Sequence, residues 1–340
     1  MKKVILTISI MLVVALACVS MTACNNTATT QGQLRNILSD HNSESFEYDV
    51  FAKDADGNKI EGYDGTYKVT LKAYGEGAKI ENFGSSDTNL ENLSAGILVN
   101  GLLNVGTQTY ETGCYFKLIN GSSYMVPAYS YRVQKDGEKE TFRLFGSYDG
   151  KKFSYTRTIN GEKSEGSVEA GGTTYFDNNE FHQALRTITT FSDSLAFSFS
   201  VPLVSATEAG SVTLTTRADG KTNVKTPYTA SSEKYSDNGI ECYKVYVSRA
   251  TEVAGVSQTL YYAASDVLFN GWAMRHVLVK IEEPFKKDGS TNMMTYELKP
   301  QPLPNNCLNQ KAHRSVCFFF VLLRQNQFKI QTDFLRAEKR

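Results

Sequence analysis

Runs of alternating apolar and polar residues, closed by Asn-Gly or Asp-Gly pairs, constrain this chain more than any other feature. Phe46, Tyr48 and Val50 alternate with Glu47 and Asp49, and Asp56-Gly57 follows. Tyr67, Val69, Leu71 and Ala73 alternate with Lys68, Thr70 and Lys72. The pattern returns at Tyr129-Tyr131-Val133, at Phe142-Leu144 and at Phe153-Tyr155-Arg157-Ile159. A β-strand points successive side chains to opposite faces, so each run gives one buried face and one wet face. Asp136-Gly137, Asp149-Gly150 and Asn160-Gly161 separate the runs. These pairs accept the positive φ angles that tight hairpins require, so the first half reads as an antiparallel meander.

Two stretches interrupt it. Leu90, Leu93, Ile97, Leu98 and Leu102 fit helical spacing, weakened by Gly96 and Gly101, and suggest a short helix or capping segment. In Asp177-Asn178-Asn179-Glu180 a capping residue stands three places before an acid, and Phe181, Leu185 and Ile188 then form an apolar stripe. A helix is expected over about 178–189, with His182 on its wet side. Strands resume at Leu195–Val204 and at Val212–Arg217, which closes at Asp219-Gly220. Further strands are expected at Ile240–Ser248, Gln258–Ala263, Met274–Ile281 and Met293–Leu298. Strands and helices do not alternate, which argues against a Rossmann-like or solute-receptor α/β fold. The expected fold is mostly β: a curved antiparallel sheet or a two-lobed β half-barrel (45–175 and 190–299) with one central helix.

The second half, with the segment 176–188, Gly239-Ile240-Glu241-Cys242-Tyr243-Lys244-Val245 and Leu278-Val279-Lys280-Ile281-Glu282, resembles bacterial exported and lipoprotein domains of unknown function. That resemblance implies a curved antiparallel sheet wrapped around a helix, somewhat like the half-barrel of bacterial lipoprotein carriers. It brings no activity and no functional residues.

The N-terminus carries an address. Met1-Lys2-Lys3 precedes an uncharged apolar run from Val4 to Ala17, and Met21-Thr22-Ala23 leads into Cys24. This is the pattern of a secretory signal, too short for an ordinary membrane span. Its end resembles the lipobox of bacterial lipoproteins, with Met21 where Leu is usual, and implies lipid attachment at Cys24 after removal of 1–23. Cys18 is the weaker rival, because Leu16 stands where a small residue is usual. Residues 24–44 read as a polar tether with a reach of about 25 Å. The expected location is the outer face of the cytoplasmic membrane or the outer membrane, with the lipid as the membrane partner.

Charge and cysteine usage agree with that setting. The chain has 36 basic and 36 acidic residues, but the signal and residues 301–340 hold nine of the basic and two of the acidic ones. Residues 24–300 are therefore mildly acidic, which argues against nucleic acid as a partner. Beyond Cys18 and Cys24 the body contains only Cys114 and Cys242, too few for a disulfide framework. Cys242 reads as a small apolar strand residue, with a Cys114–Cys242 bridge the less favoured reading. Residues 300–340 depart from the pattern at Gln301-Pro302-Leu303-Pro304 and reverse the charge. They are either a real extension or out-of-frame translation, and the second is favoured.

Short motifs offer no chemistry that survives its context. Ser231-Ser232-Glu233-Lys234 and Ser236-Asp237-Asn238 match serine β-lactamase motifs, but they nearly abut and no Lys-Thr-Gly follows. Asp54-Ala55-Asp56-Gly57-Asn58 starts like a calcium loop, yet Gly65 stands where its last ligand, a Glu, belongs. The histidines pair neither with each other nor with cysteine, so no metal, cofactor or catalytic residue is assigned. Aromatic residues are the remaining candidates. Tyr129 and Tyr131, in a region dense in tyrosine, and Trp272 are the candidate ligand-binding residues, against the blander reading of strand packing. The expected function is a non-enzymatic binding module for an apolar or extended ligand, an envelope polymer or an envelope partner. The alternatives are a glycan-active hydrolase built from scattered carboxylates and a structural or adhesive module.

Overall fold

The computed structural model describes residues 38, 42–119, 125–172, 174–186, 197–249, 258–269, 272–287 and 289–300. The signal, Cys24, most of the tether, Tyr124, Ile188 and the tail 301–340 lie outside the described residues. The first ten strands are β1 (Ser43–Lys53), β2 (Lys59–Tyr74), β3 (Ala78–Ile80), β4 (Leu90–Leu93), β5 (Gly96–Val105), β6 (Gln108–Leu118), β7 (Met125–Asp136), β8 (Lys139–Asp149), β9 (Lys152–Ile159) and β10 (Glu162–Glu169). A one-turn helix α1 (Phe181–Leu185) separates them from β11 (Phe197–Val204) and β12 (Ala209–Val224). Helix α2 (Pro227–Ala230) precedes β13 (Ile240–Arg249), β14 (Gln258–Ala263), β15 (Val267–Phe269), β16 (Trp272–Met274), β17 (Leu278–Lys287) and β18 (Ser290–Leu298).

Fourteen strands form one antiparallel sheet in the order β10-β9-β8-β7-β6-β5-β2-β1-β18-β17-β14-β13-β12-β11. The groups before and after α1 are joined through β1 and β18, with Tyr48 opposite Leu298 and Val50 opposite Tyr296. The sheet curls into a nearly closed barrel. Its two edges approach through Tyr175, which bridges Ser200, with Phe176 N donating to Ser200 O at 3.0 Å and Ser200 N to Thr174 O at 3.0 Å. Arg157 Nη1 crosses the same seam to Ser205 O at 2.7 Å. Curling removes most of the exposed strand edge that an open sheet of this width would present.

The hairpin chemistry is where the alternation placed it. Asn160 and Gly161, at φ 50° and 92°, join β9 to β10 in a two-residue turn. Asp54 Oδ1 accepts from Asp56 N and Asn58 N, which makes 54–58 a hairpin turn. Asp219-Gly220 differs. Instead of ending a strand it forms a bulge within the 16-residue β12, where the register against β13 shifts between Ala218 and Lys221. One kind of bulge places a glycine at positive φ, as tight turns do, and Gly220 has φ 70°.

Three other expectations are corrected. The stretch 90–102 is not helical; it forms β4 and β5. Gly96, Ile97, Leu98 and Val99 are all buried because β5 packs on both faces. Ile97 and Val99 join the barrel core, while Leu98 meets Ile80, Phe83, Leu90 and Leu93 of the β3–β4 flap outside it. A strand covered on both sides loses its period of two and imitates a buried helix. The central helix is shorter than 178–189, ending at Leu185 with Arg186 as its cap. Glu180 caps its start with no side-chain bond to the helix, because both acids of the expected capping motif bind elsewhere. The third correction concerns His182, which faces the barrel interior. Ser43 and Glu44, counted by composition with the tether, already belong to β1.

Cys114 and Cys242 are both free and buried in the same apolar cluster, so the apolar reading of Cys242 holds.

Candidate functional site

The register sets the interior row by row. Across β1, β2, β5, β6 and β7 it aligns Tyr48, Tyr67, Leu103, Tyr110 and Gln134. The next inward positions on β6 and β7 are Thr112 and Arg132, a directly opposed pair. Tyr67 can lean across β5 because Gly101 carries no side chain. A Cβ there would fall 2.6 Å from Thr112 Oγ1 and 3.2 Å from the Tyr67 ring. Tyr67, Leu103, Tyr110, Ile281 and Tyr296 are the apolar and aromatic wall of a cavity of about 330 Å³. Arg132, Gln134, Thr112 and Asn179 supply polar groups to it, and His182, Gln258 and Glu283 form one side. Beyond those three residues lies a second cavity of about 230 Å³, reached by Phe181, Val201, Leu203, Val212 and Val247.

The segment from Thr174 to Arg186 enters this interior and is held there by side-chain bonds. Tyr148 donates to Asp177 Oδ2 at 2.7 Å, and Asn179 N donates to Asp177 Oδ1 at 3.0 Å. Thr112 donates to Glu180 Oε1 at 2.8 Å, and Tyr262 donates to the His182 carbonyl at 2.8 Å. At the far end Arg186 donates to the carbonyls of Arg275 and His276, at 2.8 and 3.3 Å, and to Gln183 Oε1 at 3.1 Å. Its Nη2 also lies 2.9 Å from Glu44 Oε2, with both side chains 0% exposed. The approach to Glu44 is off the hydrogen-bond axis, and neither carboxylate oxygen accepts a hydrogen bond. Charge holds the pair, and the Phe46 ring lies 5.0 Å from the guanidinium.

Burial governs the ionisation of the interior groups. It pushes the Glu180 carboxyl well above the usual range, against the Thr112 bond and with help from the Asp177 charge. Burial likewise raises Asp177, against its bonds from Tyr148, Ser130 and Asn179 and the charge of Arg132. It raises Glu283 against a bond from Gln258. It lowers His182 to about 4, opposed by the 2.7 Å bond to Gln258 Oε1. The imidazole is therefore neutral at pH 7.

The two candidate tyrosines named from sequence stand outside this interior. Tyr129 and Tyr131 are on the outer face of β7, under the β3–β4 flap. Tyr131 meets the edge of Phe83 at 4.9 Å between centroids and donates to Asn100 Oδ1 at 3.1 Å. Tyr129 lines a cleft of about 300 Å³ with Glu91, Ser94 and Lys117. Trp272 opens β16, its backbone paired with Phe269. Neither tyrosine is among the residues that line the interior cavity. The tyrosines that do, Tyr67, Tyr110 and Tyr296, are spread over three strands.

No family model matches the chain, and no curated protein matches it. Among solved structures the chain is similar to a beta-barrel-like protein of a domain of unknown function from Brucella abortus. The two share 11% identity with a TM-score of 0.40, over 75% of this chain and 95% of that one.

Arg132 and the His182–Gln258–Glu283 line escaped the sequence reading for one reason. In Tyr129-Ser130-Tyr131-Arg132-Val133 the alternation marks two faces but not which one turns inward. Ser130 and Arg132 face the interior, and the tyrosines face the flap.

Proposed function

We propose that this protein is a lipid-anchored binding module of the bacterial cell envelope that holds an apolar or extended ligand inside its barrel. The observation that carries the binding role is the cavity of about 330 Å³, with tyrosine, leucine and isoleucine along one part of its wall and polar side chains, Arg132 among them, along the rest. A mostly apolar concavity with sparse polar groups suits a ligand that is largely hydrocarbon. The anchor rests on the signal pattern ending at Cys24, and the outward location follows from it. Glu283 is the one acid that lines the cavity among the described residues, while Asp177 and Glu180 hold the interior segment; a glycan hydrolase needs a facing pair of carboxylates, which favours binding over hydrolysis.

The test is mass spectrometry of the protein extracted from its native membrane. The expected result is an N-terminal cysteine bearing acyl chains and a small amphiphile that co-purifies. Leu103→Trp, which fills the cavity, should lose that amphiphile while leaving the anchor in place. A radiolabelled fatty acid entering Cys24→Ala as well as the wild type would remove the anchor. An amphiphile retained equally by Leu103→Trp would remove the interior site.

A further inference from the structure

Arg132 is placed as no structural arginine needs to be. Its Nη2 donates to the Val204 carbonyl, and the Phe142 ring lies 4.9 Å from its guanidinium carbon. Its Nε is buried and meets no acceptor. Among the described residues no carboxylate comes within ion-pair distance of it; Asp177 acts on it only through space. A half-buried guanidinium whose buried Nε is idle is costly, and such a group normally has a carboxylate against it.

Besides the Arg186–Glu44 pair at the far end of the interior segment, the carboxyl and imidazole groups about the cavity are Asp177, Glu180, Glu283 and His182, and none of them lies within ion-pair distance of the Arg132 guanidinium. Burial raises all three carboxyls above their usual range and lowers the imidazole to about 4. Burial lowers the Arg132 guanidinium as well, with the Asp177 charge opposing it, but arginine starts so far above neutrality that it stays charged. The cavity therefore presents one cation, with Thr112, Gln134 and Asn179 as neutral partners beside it.

Resting on the reading of the interior as a ligand site, we propose that Arg132 anchors the anionic head of an amphiphile, a carboxylate or phosphate. Its chain would lie against Tyr67, Leu103, Tyr110, Ile281 and Tyr296. With Nη2 on the Val204 carbonyl, the remaining guanidinium donors can meet either anion, and a charge-assisted hydrogen bond formed away from water gives strong selectivity over a neutral head.

The experiment titrates the whole protein with dodecanoate, dodecyl phosphate and dodecanol at neutral pH, reading displacement of a neutral fluorescent probe. The wild type should bind at least one of the two anions about tenfold or more tighter than the alcohol. The preferred anion separates a fatty-acid from a phosphate source. Arg132→Met should bind all three alike, at the wild-type affinity for dodecanol, and Arg132→Lys should keep part of the preference. The wild-type comparison stands even where a variant does not fold. Equal binding of acids and alcohol by the wild type, or a preference that survives in Arg132→Met, overturns the anchor while leaving the amphiphile site. Binding of none of the three overturns the site and the anchor together.

Discussion

Glu44 and Arg186 meet where neither reaches water, and the pair ties the first strand to the end of the interior segment. Removing one partner leaves an uncompensated buried charge, so Arg186→Met should cost about 3–5 kcal/mol in urea unfolding. The double variant Glu44→Gln/Arg186→Met should cost less than the sum of the singles, because the stranded charge is gone. The interior titrating groups predict opposite slopes with pH. Glu180 keeps its proton in the folded state after the unfolded chain has lost it near 4.5, so stability falls as pH rises from there through the raised value. Glu180→Gln removes that loss. Its stability relative to wild type should grow as the pH rises above 4.5. His182 behaves inversely. Its folded value of about 4 lies below the usual 6.5, so wild-type stability is lost as pH falls from 6.5 to 4. His182→Gln should gain on the wild type across that interval, and thermal melts at several pH values read both.

Turns and bulges decide which elements form. Asn160 and Gly161 both hold positive φ, which suits the hairpin twist of β9 and β10. Gly161→Ala should cost about 1 kcal/mol, measured by chemical unfolding. Gly220 uses the same freedom within β12, so an Asp-Gly pair is a signal of positive φ before it is a signal of chain reversal. The central helix shows the opposite case. Its sequence offers a capping pattern, yet Glu180 turns to Thr112 and Asp177 to Tyr148, since a buried acid must find the donors that surround it. Gly101 matters at this scale too. Gly101→Ala brings a methyl against Thr112 and the Tyr67 ring, and should lower both stability and ligand retention.

The whole molecule depends on closure. A fourteen-stranded sheet leaves two edges, and here they are joined by the Tyr175–Ser200 bridge, by Arg157 reaching Ser205, and by Val168 and Val204 packing in one cluster. Arg157 contributes one of the side-chain links, a hydrogen bond from a charged group, so Arg157→Ala should cost about 1.5–3 kcal/mol. The loss should appear as faster amide hydrogen exchange in β10 and β11, with β1 and β18 unchanged. Uniform exchange across the sheet would mean that the seam is not an independent unit.

Most strands were legible from the period of two and the glycine turns, because both are local properties of backbone and side-chain direction. They sufficed for a β fold, for hairpins at 54–58 and 160–161, and for the place of a central helix. The failures share one cause. Where β5 is buried on both faces, and where β7 carries tyrosines on one side and Ser130 and Arg132 on the other, the pattern cannot say which face is inside. Only closure of the barrel and the β3–β4 flap settle that. They turn an arginine inward, bring Tyr67, Tyr110 and Tyr296 together from distant strands, and set Glu44 against Arg186 across a separation that no local rule spans.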